Sequence, residues 1–133
     1  MAVSGAGAAE ADMSQAEDPT SVVQRQLDAY NAHDMEAWLA TYAPDARQYE
    51  YPDKLLAEGH DAIRARMTTR FQDPDLHAHL KSRIVLGNTV IDHEHVARTF
   101  PEGPGHVEMV AIYQVTAGHI GLATFIIGDK KLS

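Results

Sequence analysis

Apolar residues recur at helical spacing in the first half of the chain and alternate with polar ones in the second. Val23, Leu27 and Tyr30, with Gln26 as one polar member, share a face of a helix that Asp18-Pro19 opens as N-cap and first helical residue. Asn31-Ala32-His33-Asp34 interrupts that pattern, and Asp34 caps a second, shorter helix carrying Met35, Trp38, Leu39 and Tyr42. Pro44 ends it, because the residue before a proline avoids the helical region. Residues 47–51 read as a short strand stopped by Pro52. Gly59-His60-Asp61 opens a third helix with Ile63, Met67 and Phe71 one turn apart, closed by Asp73-Pro74-Asp75.

From Leu76 the pattern is that of strands. Residues 76–86 and 89–100 flank Gly87-Asn88, a tight hairpin turn. A longer turn over 101–105 leads to a strand at 106–115, and Ala117-Gly118 turns into another at 120–127. Helices first and an antiparallel meander after them predict an α+β fold: a cone-shaped, curved antiparallel sheet wrapped by three N-terminal helices. Such a sheet has a concave interior suited to a small ligand. Residues 1–17 are small, acidic and non-periodic, and predict a disordered tail ahead of a single domain over 18–130.

Composition narrows the function. The formal charge of -8 repels phosphate backbones, so no nucleic-acid partner is expected, and no basic cluster points to a membrane surface. The absence of cysteine excludes disulfides, zinc-thiolate sites and thiol nucleophiles. No apolar run approaches the roughly 18 residues of a membrane span. The N-terminus lacks the basic and apolar regions of a signal peptide, so the expected location is cytoplasmic.

The charged residues of the 76–100 hairpin carry the candidate chemistry. A two-residue loop at Gly87-Asn88 sets Arg83 opposite Asp92 and Lys81 opposite Glu94, and opposed residues share a face. Leu80, Ile84, Leu86 and Ile91 fall on the other face. Two arrangements satisfy this pattern. Either the charged stripe is solvated above an apolar core, or it points into the cone and the apolar face meets a second copy of the chain. A buried carboxylate must be paired or protonated. Inside the cone, Asp92 beside Arg83 stays ionised, while Glu94 in a drier place gains a raised pKa suited to acid–base work. His77-x-His79 and His93-x-His95 have metal-ligand spacing, but this register puts the two pairs on opposite faces, so no metal and no cofactor is expected. His77 falls on the Asp92 face, as a candidate pocket residue. Tyr30, Trp38, Tyr42, Met67, Tyr113 and Phe125 read as core.

The segment SVVQRQLDAYNAHDMEAWLATYAPDA resembles the opening helices of ketosteroid isomerases and SnoaL-like polyketide cyclases, members of the nuclear transport factor 2-like superfamily. EGHDAIRARM, RIVLGNTVIDHEHV and AIYQVTAGHIGLATFIIG are similar to the rest of that fold, so the resemblance covers about residues 20–128. It implies that Val90, Asp92, Glu94 and Val96 point into the pocket, that His93 and His95 point out, and that Tyr42, Met67, Tyr113 and Phe125 line the wall. It places Gln26 where ketosteroid isomerases carry an oxyanion-hole tyrosine, and Ala111 near their protonated aspartate. Their general base falls at Glu50, or at Tyr51 with one residue inserted before Pro52. With neither oxyanion donor retained, steroid isomerisation is not the expected reaction. Asp92, Glu94 and Arg83 are similar in type to the acid–base set of limonene-epoxide hydrolases.

The expected function is a cofactor-free acid–base enzyme of isomerase, cyclase or epoxide-hydrolase type, acting on a small hydrophobic molecule. Asp92, Glu94, Arg83 and Glu50 are its candidate catalytic residues; Gln26, Tyr42, Tyr51, Met67, His77, Tyr113 and Phe125 are its candidate substrate contacts. The alternative is a non-catalytic ligand-binding or assembly module of the same fold. Ile84, Ile91, Val110 and Ile112 on the outer face predict a homodimer.

Overall fold

In the computed structural model, which describes residues 18–133, local signals set the first elements. The expected tail over 1–17 lies outside the described residues. Asp18 accepts a hydrogen bond from the Ser21 amide at 2.8 Å and caps α1 (Pro19–Asn31). That helix buries Val22, Val23, Gln26, Leu27, Ala29 and Tyr30. Asp34 caps α2 (Met35–Leu39) through the Ala37 amide at 3.1 Å. The second helix is shorter than its apolar spacing predicts. It ends at Leu39, Tyr42 already opens β1 (Tyr42–Glu50), and Pro44 lies inside that strand. The proline falls where the ladder to the neighbouring strand is irregular, between Tyr42 and Arg47, so its missing amide interrupts no regular pairing.

The strand β2 (Lys54–Glu58) has no counterpart among the expected elements. Only Ala57 is buried in it, so it carries no alternation to read. The helix α3 (His60–Phe71) buries Ile63, Met67 and Phe71, as its spacing predicts. Four strands follow: β3 (His77–Leu86), β4 (Thr89–Phe100), β5 (Gly103–Thr116) and β6 (His119–Leu132). They form an antiparallel meander, with β1 parallel to β6, in the order β2-β1-β6-β5-β4-β3. The last two strands outrun their expected bounds. Gly105 makes this possible: a Cβ there would lie 2.4 Å from the Lys131 carbonyl oxygen, so only glycine lets the two strands pair this far.

The hairpin of β3 and β4 holds one irregularity with large consequences. Its loop is the expected Gly87-Asn88, with Leu86 opposite Thr89 and Arg83 opposite Asp92. Between Leu80 and Ser82 the register slips, and Lys81 is a bulge residue without a partner. Leu80, not Lys81, therefore stands opposite Glu94 and packs against the core. The same slip carries His77 and His79 to the opposite face from the one expected.

Helices cover the concave side of this unclosed sheet. Trp38 packs at 4.9 Å from the Tyr42 ring and 5.2 Å from Phe71, which in turn meets Tyr30 edge-on at 5.5 Å. Asn31 ties the end of α1 to edge strand β3, donating to the Ala78 carbonyl at 3.0 Å and accepting from its amide at 2.8 Å. No helix among the described residues is long and apolar enough to cross a membrane.

Candidate functional site

The concave face and the helices enclose a cavity of about 110 Å³, walled by Trp38, Met67, Val96, Tyr113 and Phe125 among others. On β4 the alternation of the strand buries Val90, Asp92, Glu94 and Val96 on this side. The inward arrangement of the charged hairpin is therefore the one adopted.

The two carboxylates then part company. Both Asp92 oxygens are held by Arg83, at 2.7 Å from Nε and 2.9 Å from Nη2, and Arg83 also donates to Gln24 on α1 at 2.9 Å. Asp92 is fully buried in this closed pair, Arg83 is partly exposed, and neither lines the cavity. Glu94 does line it, is 3 % exposed, and makes no ion pair or hydrogen bond among the described residues. Burial and the nearby Asp92 charge push its pKa up to about 7, against a smaller opposing pull from Arg83. The bulge explains the missing partner, since it puts Leu80 where a regular ladder would bring the Lys81 ammonium.

Three tyrosines share the Glu94 environment. Burial pushes Tyr30 up to about 12 and raises Tyr42 and Tyr113 further, and a Glu94 charge adds to each. All three keep their hydroxyl protons at neutral pH. Three buried donors on the cavity wall lack a partner within hydrogen-bond geometry among the described residues: Trp38 Nε1, the Tyr42 hydroxyl and Gln48 Nε2, the last two close enough that the Gln48 amide acts on the Tyr42 hydroxyl. The Gln48 amide is oriented by Arg66, whose Nη1 donates to Oε1 at 2.9 Å. A guanidinium can only donate, so the amide oxygen faces Arg66 and the NH₂ group is left for another acceptor.

The remaining candidate residues fall as follows. Gln26, Tyr42, Met67, Tyr113 and Phe125 line the cavity. Gln26 has its Oε1 buried without a partner among the described residues. Glu50, half-buried at the end of β1, and Tyr51, 58 % exposed in the following turn, do not line it. His77 is displaced by the bulge to the outer face, where its ring lies 4.4 Å from His79. The two His-x-His pairs, expected on opposite faces, share the outer one: His79 stands opposite His95, and His95 lies 4.2 Å from His106. Among the described residues no cluster of metal-ligating side chains converges to hold an ion.

Gln48, Arg66, Arg70 and Arg98 also line the cavity and were not among the candidates. Two signals pointed to them. Arg98 continues the inward alternation of 90, 92, 94 and 96, and Gln48 is two residues from buried Ala46. Arg66 and Arg70 flank the buried positions Met67 and Phe71, and helix spacing alone reads them as solvated.

The family profile of the SnoaL-like domain matches residues 23–121. The chain belongs to the SnoaL-like domain family. That family includes polyketide cyclases and isomerases. Among curated proteins no similar sequence is found. Solved structures share the fold. A cystatin-fold protein from Novosphingobium aromaticivorans is 23 % identical with a TM-score of 0.76, over 83 % of this chain and 98 % of that one. A Jannaschia protein assigned as a SnoaL-like polyketide cyclase is 17 % identical, with a TM-score of 0.68 over 82 % and 84 % of the two chains. A Catenulispora acidiphila protein with a ketosteroid isomerase-like fold is 13 % identical, with a TM-score of 0.67 over 78 % and 82 %. At these identities the likeness extends to the SnoaL-like fold and no further.

Proposed function

We propose that this SnoaL-like protein is a cofactor-free acid–base enzyme in which Glu94 moves a proton on a small substrate held in the cavity. The observation that carries this reading is an unpaired, buried carboxyl on the cavity wall with its pKa raised to about 7. A group with that pKa exchanges a proton readily near neutrality. The chemistry that fits best is proton abstraction from carbon next to a carbonyl. Ionised Glu94 accepts the proton, and the electron pair moves onto the carbonyl oxygen as an enolate. The Tyr42 hydroxyl, with the Gln48 amide beside it, and Trp38 Nε1 are donors available to that oxygen. In a β,γ-unsaturated ketone the electron pair extends over the double bond, and return of the proton from Glu94 to the γ carbon completes an isomerisation; in a diketone the enolate carbon attacks the second carbonyl, and the alkoxide formed takes the proton back from Glu94. These donors come from β1 and α2, so the apolar Ala111 and the amide at Gln26 do not by themselves disable such a site. Asp92 and Arg83 are positioning residues, setting the field at Glu94 from behind the wall.

Second, we propose that the outer sheet face is covered by another copy of the chain. Ile84, Ile91 and Ile112 form one row across three strands, and His93, Val110 and Ile126 the next. Ile84 is 62 % exposed in the single chain.

The test is turnover across a panel of small ketones and diketones. Glu94→Gln is expected to lose roughly 10²–10⁴ in rate, with ligand affinity retained, and the wild-type rate to rise with pH through about 7 as Glu94 ionises. Unchanged turnover in Glu94→Gln overturns the acid–base reading. Binding without turnover across the panel favours the non-catalytic ligand-binding module instead.

A further inference from the structure

An acidic chain gathers three arginines at one mouth. Arg66 and Arg70 on α3 and Arg98 on β4 line both the cavity and a shallow depression outside it, so they form the boundary between the two. Their company is unusual for this molecule. Arg47, Arg64 and Arg83 are each paired with a carboxylate, to Glu58, Glu36 and Asp92. Among the described residues, none of Arg66, Arg70 and Arg98 makes an ion pair.

The groups that face them do not neutralise them. Asp73 is the carboxylate nearest in effect to Arg98, but it accepts hydrogen bonds from the Thr99 amide at 2.6 Å, the Thr99 hydroxyl at 3.0 Å and the Asp75 amide at 2.9 Å. Asp75 is bound to the same hydroxyl. Glu50 acts on Arg66 only at a distance. Each of Arg66 and Arg98 instead feels Arg70 as a like charge, on top of its own desolvation. Both are held in place by aromatic rings: Arg66 lies 5.7 Å from the Phe125 ring centre and Arg98 4.5 Å from Phe100. Arg66 is further fixed by Gln48, and the Nε of Arg98 is buried with no acceptor among the described residues. Three like charges in one place, two of them pre-oriented and one of these with an unanswered buried donor, form a receptor for an anion.

We propose that the ligand of this cavity carries a carboxylate, gripped at the mouth by Arg66, Arg70 and Arg98, with its apolar body directed inward toward Glu94. This deepens the acid–base reading and rests on the same cavity being the reactive site. It also sets a molecular ruler. Arg98 lies four residues along the strand from Glu94, about 13 Å between their Cα atoms. The cavity itself is close in size to one known to accept benzene, roughly 150 Å³. A ring or short chain a few bonds from a carboxylate fits both measures. The anion is held away from Glu94, so it does not oppose ionisation of the base as a carboxylate beside it would.

The probe pair is 3-phenylpropanoate and its neutral isostere 3-phenylpropanamide, titrated calorimetrically into the full chain at pH 8. The carboxylate is expected to bind at least about tenfold more tightly than the amide, as a charge-assisted bidentate contact requires. The preference is expected to shrink in 0.5 M salt and to collapse in Arg70→Gln. Because that variant can lose stability, the wild-type Nε–Hε resonances of Arg66, Arg70 and Arg98 supply a second readout, and the carboxylate should shift them. Equal binding of acid and amide, no binding of the acid at millimolar concentration, or unshifted arginine resonances overturns the proposal. Binding of 2-phenylethyl phosphate tenfold above the acid overturns the carboxylate assignment. Glu94→Gln is expected to keep the preference for the acid. A catalytic failure of Glu94 thus leaves the anion receptor standing, and the reverse holds as well.

Discussion

Glu94 shows how one missing neighbour turns a side chain into a reagent. A carboxyl in a protein interior is raised by desolvation unless a cation answers it. Asp92 has its answer in Arg83, whereas Glu94 has Leu80 across the ladder. The consequence reaches stability. Glu94 binds its proton more tightly in the folded state, with a pKa of about 7 against an ordinary 4.5. The folded state is therefore favoured below pH 4.5, and that contribution is lost as pH rises through 7. The shift corresponds to about 3 kcal/mol. Urea denaturation of wild type and Glu94→Gln between pH 5 and 8 checks this. The variant is expected to lack that fall and to gain on the wild type by a few kcal/mol at pH 8. Parallel curves would show that Glu94 titrates normally. The sequence showed an acid in a drier place beside a paired one, because alternation along residues 90–96 is visible. It suggested a lysine partner that the fold removes.

That removal is the work of one bulge residue in β3. Counting from the Gly87-Asn88 loop predicts every pair down to Ser82, and every face beyond it wrongly. Lys81 is the extra residue: Ser82 faces His93 and Leu80 faces Glu94, as they would if Lys81 were absent. Deletion of Lys81 is thus expected to leave both faces of the hairpin intact and to cost no more than about 1–2 kcal/mol, within the range of ordinary substitutions. Thermal melting gives the cost, and the Glu94 titration by NMR should stay near 7. Loss of the fold, or a Glu94 returned to an ordinary pKa, would show that the bulge shapes the site through its local twist. A bulge was hard to read because only Ala78 and Leu80 are apolar among residues 77–83; the slip turns both inward, a weak signal beside five polar or charged neighbours. Other elements announced themselves better: Asp18, Asp34 and Gly59 stand at the helix starts, and Thr89–Phe100 has its expected bounds, whereas β2 left no pattern to read.

The two faces of the whole sheet divide the chemistry. The concave side holds Glu94, the free donors and the three arginines. The convex side runs from an isoleucine row near the Gly87-Asn88 turn to histidines at the far end: His77, His79, His95 and His106, with His93 at 2.5 Å from Glu108. Desolvation and the neighbouring His106, Lys81 and His79 hold His95 below the usual imidazole range. A second copy seated on this face would bury imidazoles that repel one another once charged. Sedimentation at micromolar concentration is expected to give a dimer at pH 7.5 that loosens toward pH 5, and Ile112→Asp is expected to be monomeric at both. A monomer at pH 7.5 would leave the apolar rows without the occupant assigned to them.

The order of the three helices and the four-strand meander, the Asp18 and Asp34 caps, the Gly87-Asn88 turn and the inward alternation of β4 were all set by neighbours in sequence. Backbone propensity and side-chain period act over a few residues, and they leave their mark in the chain itself. The membership of the site was not. Gln48, Arg66, Arg70 and Arg98 come from β1, α3 and β4; Arg66 and Arg70 read locally as ordinary solvated residues, and the alternation that turns Gln48 and Arg98 inward does not say what they meet there. Only the closing of the helices over the concave sheet brings them to one cavity with Glu94, and only the bulge leaves that carboxyl unpaired. Charge and desolvation act through space, so what this pocket can hold was decided where distant segments meet.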